Sequence, residues 1–481
     1  MNRPGWVRDH IYVGGAWVEP SGALCEVENP ASEQIIGSVL TGAASDAAAA
    51  VLAAQRASVA WASTTPSYRA GTLRALAEAL RSRSELLVDT LVAEVGAPLA
   101  LARSSHLGQA LTVLDSYADL LDTFTFEERL GQTRVLHEAA GVVGAITPWN
   151  YPLYQLVAKV APALAAGCTV VAKPAALTPL SAFVLADAAE DIGMPPGVLN
   201  IVPGPGAEVG EVLCTHPGVD VVSFTGSTAV GRRVAMLAAD TVKRVCLELG
   251  GKSASIVLPD ADLERAVTAT VGNVMVNSGQ TCAAWTRLLV PRSDLDRALA
   301  AAAKAAHAHV VGDPLAPETD LGPVISGAQR ASVLAYISDA VAIGATIIAG
   351  GLERPDGLER GHYVQPTVIT DVSPRSRIAQ EEVFGPVLVV LPYTDIEDAV
   401  RIANGTPYGL AGSVWGPEQQ SYAVAQQLRT GRVDINGADW NPIAPFGGYK
   451  HSGTGRELGR WGLEEFLEIK SVQLPGTGGQ T

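Results

Sequence analysis

From residue 168 to 250 the chain repeats one unit, a short unbroken apolar run followed by a stretch with helical spacing. The runs fall at 169–172, 198–202 and 219–224, and the helical stretches at 181–191, at 206–213 and from Ser227 onward. A strand with one wet face alternates apolar and polar residues, whereas a run that is apolar throughout must be covered on both sides. The pattern therefore predicts an α/β fold with a doubly wound parallel sheet. Such sheets take their ligands just beyond the carboxyl ends of the strands.

The flanks extend this plan. Residues 45–126 are rich in Ala and Leu, and the spacing of Leu73, Leu76, Ala77 and Leu80, and of Leu111, Leu114 and Tyr117, predicts amphipathic helices lying on that sheet. A β-prone stretch follows: Thr123-Phe124-Thr125-Phe126, a turn at Gly131, then Thr133-Arg134-Val135-Leu136. A second α/β unit is expected from 251 to 436, with helices near 262–277 and 292–309 and strands at 346–348 and 387–391. Residues 476–481 read as a flexible tail.

Composition narrows the partners. With 481 residues there is room for two or three domains, and Asp plus Glu exceed Lys plus Arg by 15. A surface that acidic repels phosphate backbones and anionic membranes, so no nucleic-acid and no membrane partner is expected. The most apolar stretch, 153–172, is interrupted by Lys159 and Pro162 and is a poor membrane span. The five cysteines, at 25, 168, 214, 246 and 282, form no CxxC pair, and the start runs into Val7-Arg8-Asp9-His10 with no apolar leader. Both features point to a reducing cytoplasm. His307 and His309 are two apart and face different sides of a helix, so no metal site is expected.

Two motifs carry the chemistry, Glu248-Leu249-Gly250-Gly251 and Gly279-Gln280-Thr281-Cys282, with the carboxylate and the thiol 34 residues apart. A thiol adds to carbonyl carbon, and a nearby carboxylate can deprotonate the water that cleaves the resulting thioester. Two more motifs are Thr147-Pro148-Trp149-Asn150 and Glu381-Glu382-Val383-Phe384-Gly385-Pro386. The Asn150 amide can donate to an oxyanion. Lys173 sits at the end of a strand where it can reach ribose or phosphate, and Ser227 can cap a helix whose free N–H groups attract pyrophosphate. The glycines at 204, 206 and 210 have the wrong spacing for a dinucleotide fingerprint and are weak evidence.

With these four motifs in order, the chain resembles the aldehyde dehydrogenase superfamily, in its hydrolytic NAD(P)-dependent branch, from about residue 10 to about 474. The resemblance implies Cys282 as nucleophile, Glu248 as general base and Asn150 in the oxyanion site, with Lys173 among the functional residues. Thr147, Pro148, Trp149, Lys173, Ala176, Gly206, Phe224, Gly226, Ser227, Leu249, Glu382 and Phe384 are the implied cofactor residues. Tyr151, Tyr154, Trp285, Trp440 and Phe446 fall near the family's substrate tunnel, whose aromatic walls suit an apolar or aromatic aldehyde, or a trimethylammonium aldehyde through cation–π contacts. NAD is the implied cofactor. Ala176 stands where NAD-preferring members carry Glu, which leaves room for NADP. The implied domains are a cofactor-binding one (1–122 and 140–250), a catalytic one (251–436), a return segment (437–465) and an oligomerisation hairpin with C-terminal strand (123–139 and 466–481). A homodimer or homotetramer follows from the last. A CoA-acylating relative is a rival that Glu248 argues against, and a cofactor-independent cysteine esterase is a second.

Overall fold

The computed structural model describes residues 6–475, so the tail at 476–481 lies outside the described residues. Three of the apolar runs become fully buried strands of one sheet, Thr169–Lys173, Leu199–Ile201 and Val221–Thr225. Val142–Ile146 and Arg244–Glu248 complete its parallel part. In the sheet, Val142–Ile146 lies between Thr169–Lys173 on one side and Val221–Thr225 on the other. It is the strand at which the winding reverses, so a crevice opens at its carboxyl end. The three outer additions come from far apart in sequence, with Ala16–Val18 at the edge beside Ile11–Val13. Ile11–Val13 pairs antiparallel with Leu199–Ile201, and Gly453–Thr454 pairs antiparallel with Arg244–Glu248.

Helices cover both faces. Pro66–Arg81 buries Leu73, Leu76, Ala77 and Leu80 in the largest core, where Leu114 and Tyr117 of Gln109–Leu120 join them. A second sheet of seven strands holds Ala254–Val257, Arg287–Pro291, Val387–Tyr393 and Gly412–Trp415 side by side and parallel. Its helices include Leu263–Met275, capped by Asp262, and Leu295–His307. Among the described residues no helix is long and apolar enough to cross a membrane.

The hairpin differs from expectation. Its strands are Glu127–Leu130 and Thr133–Ala139, turning at Gly131 with a positive φ, whereas Thr123–Phe126 is not a strand. The Phe124 and Phe126 rings instead meet edge to face and pack against the main core, where apolar burial outweighs strand propensity. The last strand, Leu467–Gln473, pairs antiparallel with Thr133–Ala139 along its whole length. A small sheet of Val7–Arg8, Gln34–Leu40 and Leu24–Asn29 was not foreseen from sequence.

Candidate active site

The winding reversal delivers the first motif. Directly after Val142–Ile146 come Thr147 to Asn150, and Pro152 then opens the helix Pro152–Ala166. Asn150 is buried and donates from Nδ2 to the Gln280 carbonyl at 2.9 Å, while Asn277 Nδ2 donates to the Asn150 carbonyl at 2.9 Å. The first motif is thus pinned to the loop that carries the thiol. In that loop Asn277, Ser278 and Gly279 all have positive φ, a conformation costly for the first two and free for glycine. Gly279 is also needed for space, because a Cβ there would run into the Gly385 carbonyl and Pro386. The loop is locked by Gln280, whose Nε2 donates to the Asn277 carbonyl and whose Oε1 accepts from Ile325 N–H.

This close approach brings the second and fourth motifs together. Glu382 lies on Gly250, where a Cβ would overlap its carboxylate, and Oε1 accepts from Gly251 N–H at 3.1 Å. The two glycines of Glu248-Leu249-Gly250-Gly251 are small because that carboxylate, and the Cys282 carbonyl beyond it, occupy the space. Phe384, held at φ 56°, meets Trp149 edge to face with centroids 5.3 Å apart.

A cavity of about 230 Å³ results. Pro148, Trp149, Asn150, Cys282, Glu382 and Phe384 line it, and Gly226, Ser227 and Leu249 close the side toward the helix Thr228–Ala238. Ser227 Oγ accepts from Val230 N–H as the helix cap. The lining fits a dinucleotide: a capped helix N-terminus for pyrophosphate, a carboxylate for ribose hydroxyls, and an aromatic pair for a flat ring. Phe224 is buried just beneath, its ring against Gly226. Lys173 is buried at the end of its strand, donating to the Pro174 carbonyl, and burial pulls its pKa down to about 8. Thr147 bonds the same strand through the Lys173 carbonyl. Ala176 is exposed on the following turn, and Gly206 opens a short π-helical turn nearby whose Gly210 packs on the Lys173 side chain.

Cys282 and Glu248 both sit where burial favours the uncharged form. Burial, with Glu382 and Glu248 close by, pushes the Cys282 thiol up to about 12, and Ala283 N–H pulls the other way. Glu248 ends its strand buried, with neither carboxylate oxygen hydrogen-bonded. Burial, and after it the Glu457 charge, hold its pKa well above the usual carboxylate range. A Cβ at Gly447 would lie 2.7 Å from Glu248 Oε1, so only glycine fits against that carboxyl.

Of the expected tunnel residues, four form a line. Tyr151 shares a hydrogen bond of 2.9 Å with Thr281 Oγ1, beside the thiol. Its ring meets Tyr154, and Tyr154 meets Trp440, each edge to face with centroids 6.4 Å apart. Phe446 shares a second cavity with Trp440. Trp285 is not part of this line. It is buried in the core of the second sheet against Trp415, because its backbone N–H is tied to Asn273 of the helix behind.

Several residues escaped the sequence reading. Gln155 lines the cavity with Oε1 unpartnered, and one turn on, Lys159 Nζ bonds Glu457 at 2.6 Å and Ser223 Oγ. Glutamine and lysine at i and i+4 on an otherwise apolar helix were a usable sign, since a polar pair on one buried stripe needs partners. Glu457 offered no local sign.

Comparison with known proteins follows this geometry. The model of the family described as "Aldehyde dehydrogenase family" matches residues 17–472. The chain is 49% identical to a 3-succinoylsemialdehyde-pyridine dehydrogenase of a Pseudomonas species, over 97% of this chain and 99% of that one. It superposes on a mutant aldehyde dehydrogenase C of Pseudomonas syringae, solved with NAD+ and octanal, with TM-score 0.97 and 44% identity over 98% of each chain. A Mycobacterium tuberculosis aldehyde dehydrogenase in complex with NAD+ gives TM-score 0.96 and 44% identity, over 98% of this chain and 99% of that one.

Proposed function

Because the chain belongs to the aldehyde dehydrogenase family, whose reaction is the NAD-dependent oxidation of an aldehyde to its acid, we propose that this oxidation runs through Cys282, Asn150 and Glu248. The observation that carries this reading is the convergence of Cys282, Asn150, Glu382 and Phe384 on one cavity, with the unpartnered Glu248 carboxyl buried near it. Cys282 gives up its thiol proton to solvent, and its sulfur adds as thiolate to the aldehyde carbon. The oxyanion takes hydrogen bonds from Asn150 Nδ2 and the Cys282 backbone N–H, a contribution of about 3 kcal/mol per donor. NAD bound in this cavity would supply a hydride acceptor, and Glu382, Phe384 and Trp149 are the residues that would hold it. Loss of hydride leaves a thioester on Cys282. Glu248 then takes a proton from water, the hydroxide attacks the acyl carbon, and sulfur leaves with the acid released.

The substrate has an apolar or aromatic body. Tyr151, Tyr154 and Trp440 in contact support this, as do the octanal held by one relative and the pyridine aldehyde in the name of another. NADP serves beside NAD, since Ala176 offers no carboxylate to repel a 2′-phosphate. The molecule is a cytoplasmic homodimer or homotetramer. Supporting this are five free cysteines and a hairpin sheet that presents Leu130 and Ile469, 63% and 69% exposed. Incubating the protein with NAD and a panel of aldehydes tests the reaction: reduced cofactor and acid must appear in equal amounts, and both must vanish in Cys282→Ala. Acid without reduced cofactor, from an ester, would support the esterase instead.

A further inference from the structure

Beyond Tyr154 lies a second cavity, of about 180 Å³, walled by Trp440, Phe446 and Pro445 and edged by Arg432, Asp434 and Asp439. Three observations tie it to the reacting centre. Trp440 touches Tyr154, which touches Tyr151, which is hydrogen-bonded beside Cys282. Phe446 precedes Gly447, the residue packed on Glu248. The Arg432 charge is near enough to Tyr154 to oppose the rise that burial imposes on that phenol.

Arg432 is only partly used by the protein. Its Nε donates to Asp434 Oδ1 at 2.9 Å, and its two terminal nitrogens hold no hydrogen bond to any described residue. A guanidinium fork carries five N–H donors, so most of its donor capacity remains for something else. The charges around the cavity decide what. Arg432 is offset by Asp434, which is mostly buried, and Asp439 adds a further negative charge at the rim, so the chamber carries about one net negative charge. A carboxylate tail is repelled there. A flat group bearing a neutral or weakly basic acceptor finds an aromatic wall for its face and a donor for its edge.

Building on the reading of Cys282 as nucleophile and of Trp440 and Phe446 as walls of the aldehyde tunnel, we propose that Arg432 selects substrates whose distal ring or ketone accepts a hydrogen bond. Arg432 is a specificity residue and takes no part in bond making.

The test compares three aldehydes of equal length, one ending in an aryl ketone or pyridine, one in plain phenyl and one in carboxylate. In the unmodified enzyme kcat/KM should favour the acceptor-bearing aldehyde over the phenyl one by roughly tenfold or more, the usual discrimination of a site built to hydrogen-bond its ligand, and the carboxylate should rank last. Arg432→Leu should collapse that ratio toward one through KM, and Arg432→Lys should restore part of it. Calorimetry with a pyridyl ketone lacking the aldehyde gives a readout free of chemistry, and its affinity should fall by a similar factor in Arg432→Leu. Equal kcat/KM for the acceptor and phenyl aldehydes in the unmodified enzyme overturns the proposal, even if neither variant folds. So does a ratio that survives Arg432→Leu. Failure to reduce NAD with any aldehyde would instead sink the reading of the reaction.

Discussion

Glu248→Gln separates the two halves of the proposed reaction, and the structure says how large the separation should be. The carboxyl is buried and neither oxygen has a hydrogen-bond partner, so an isosteric amide loses no contact. What it loses is basicity. General-base assistance contributes about 10² to 10⁴ in rate, and the whole of that falls on thioester hydrolysis. Stopped-flow mixing with NAD and excess aldehyde should show one equivalent of reduced cofactor per active site in a burst, followed by turnover slowed by about that factor. Because the folded pKa of Glu248 is raised, the unmodified enzyme's steady-state rate should climb with pH well above the usual carboxylate range, and the variant should lose that limb. Stability follows with a definite sign. A carboxyl whose folded pKa exceeds its unfolded value costs nothing below the unfolded pKa, and the penalty grows as pH rises toward the folded one, by about 1.4 kcal/mol for each unit crossed. The glutamine variant should therefore match the parent's thermal midpoint near pH 4 and exceed it at pH 8. Unchanged turnover with no burst at any pH would refute the assignment of the base. A midpoint lower at pH 8 would refute the claim that this carboxyl is buried at a cost.

Three further outcomes are expected. Cys282→Ala should abolish aldehyde oxidation while NAD still binds, measured by equilibrium dialysis; turnover above a few per cent would exclude Cys282 as nucleophile. Alkylation of Cys282 by iodoacetamide in the cofactor-free protein should be slow at pH 7 and rise about tenfold per pH unit through pH 10, since its thiol is pushed up to about 12, and a plateau near pH 8 would contradict this. Ala176→Glu should raise the preference for NAD over NADP by one to two powers of ten, the worth of about 1.5 to 3 kcal/mol for a charged hydrogen bond; strict NAD use by the unmodified enzyme would mean that another group guards the ribose.

Much of the site was legible because its chemistry is local in sequence. Cys282, Glu248 and Asn150 each stand in a short motif whose neighbours have a mechanical reason. Gly279 must clear Gly385, and Gly250 must clear Glu382. The parallel strands were legible for the same reason, since burial on both faces leaves an unbroken apolar run. What sequence hid was long-range. Nothing near Glu457 hints that it closes on Lys159, 298 residues away. The family resemblance put Trp285 near the tunnel, yet three residues of loop after Cys282 suffice to turn it into the other core. Thr123–Phe126 has strand propensity, but two phenylalanines packed against the main core settle the matter differently.

The flanks of the first sheet are made by Ile11–Val13 with Ala16–Val18 on one side and by Gly453–Thr454 on the other, with the entire second sheet synthesised in between. A growing chain leaving the ribosome thus carries Cys282 and Glu248 long before the edge strand beside Glu248 exists. Until residue 457 emerges, Lys159 has no carboxylate to meet, and an ammonium without one resists burial. Half-made chains should keep this region open and hydrated. The strand beside Glu248 and the carboxylate that meets Lys159 are both made only after the whole second sheet.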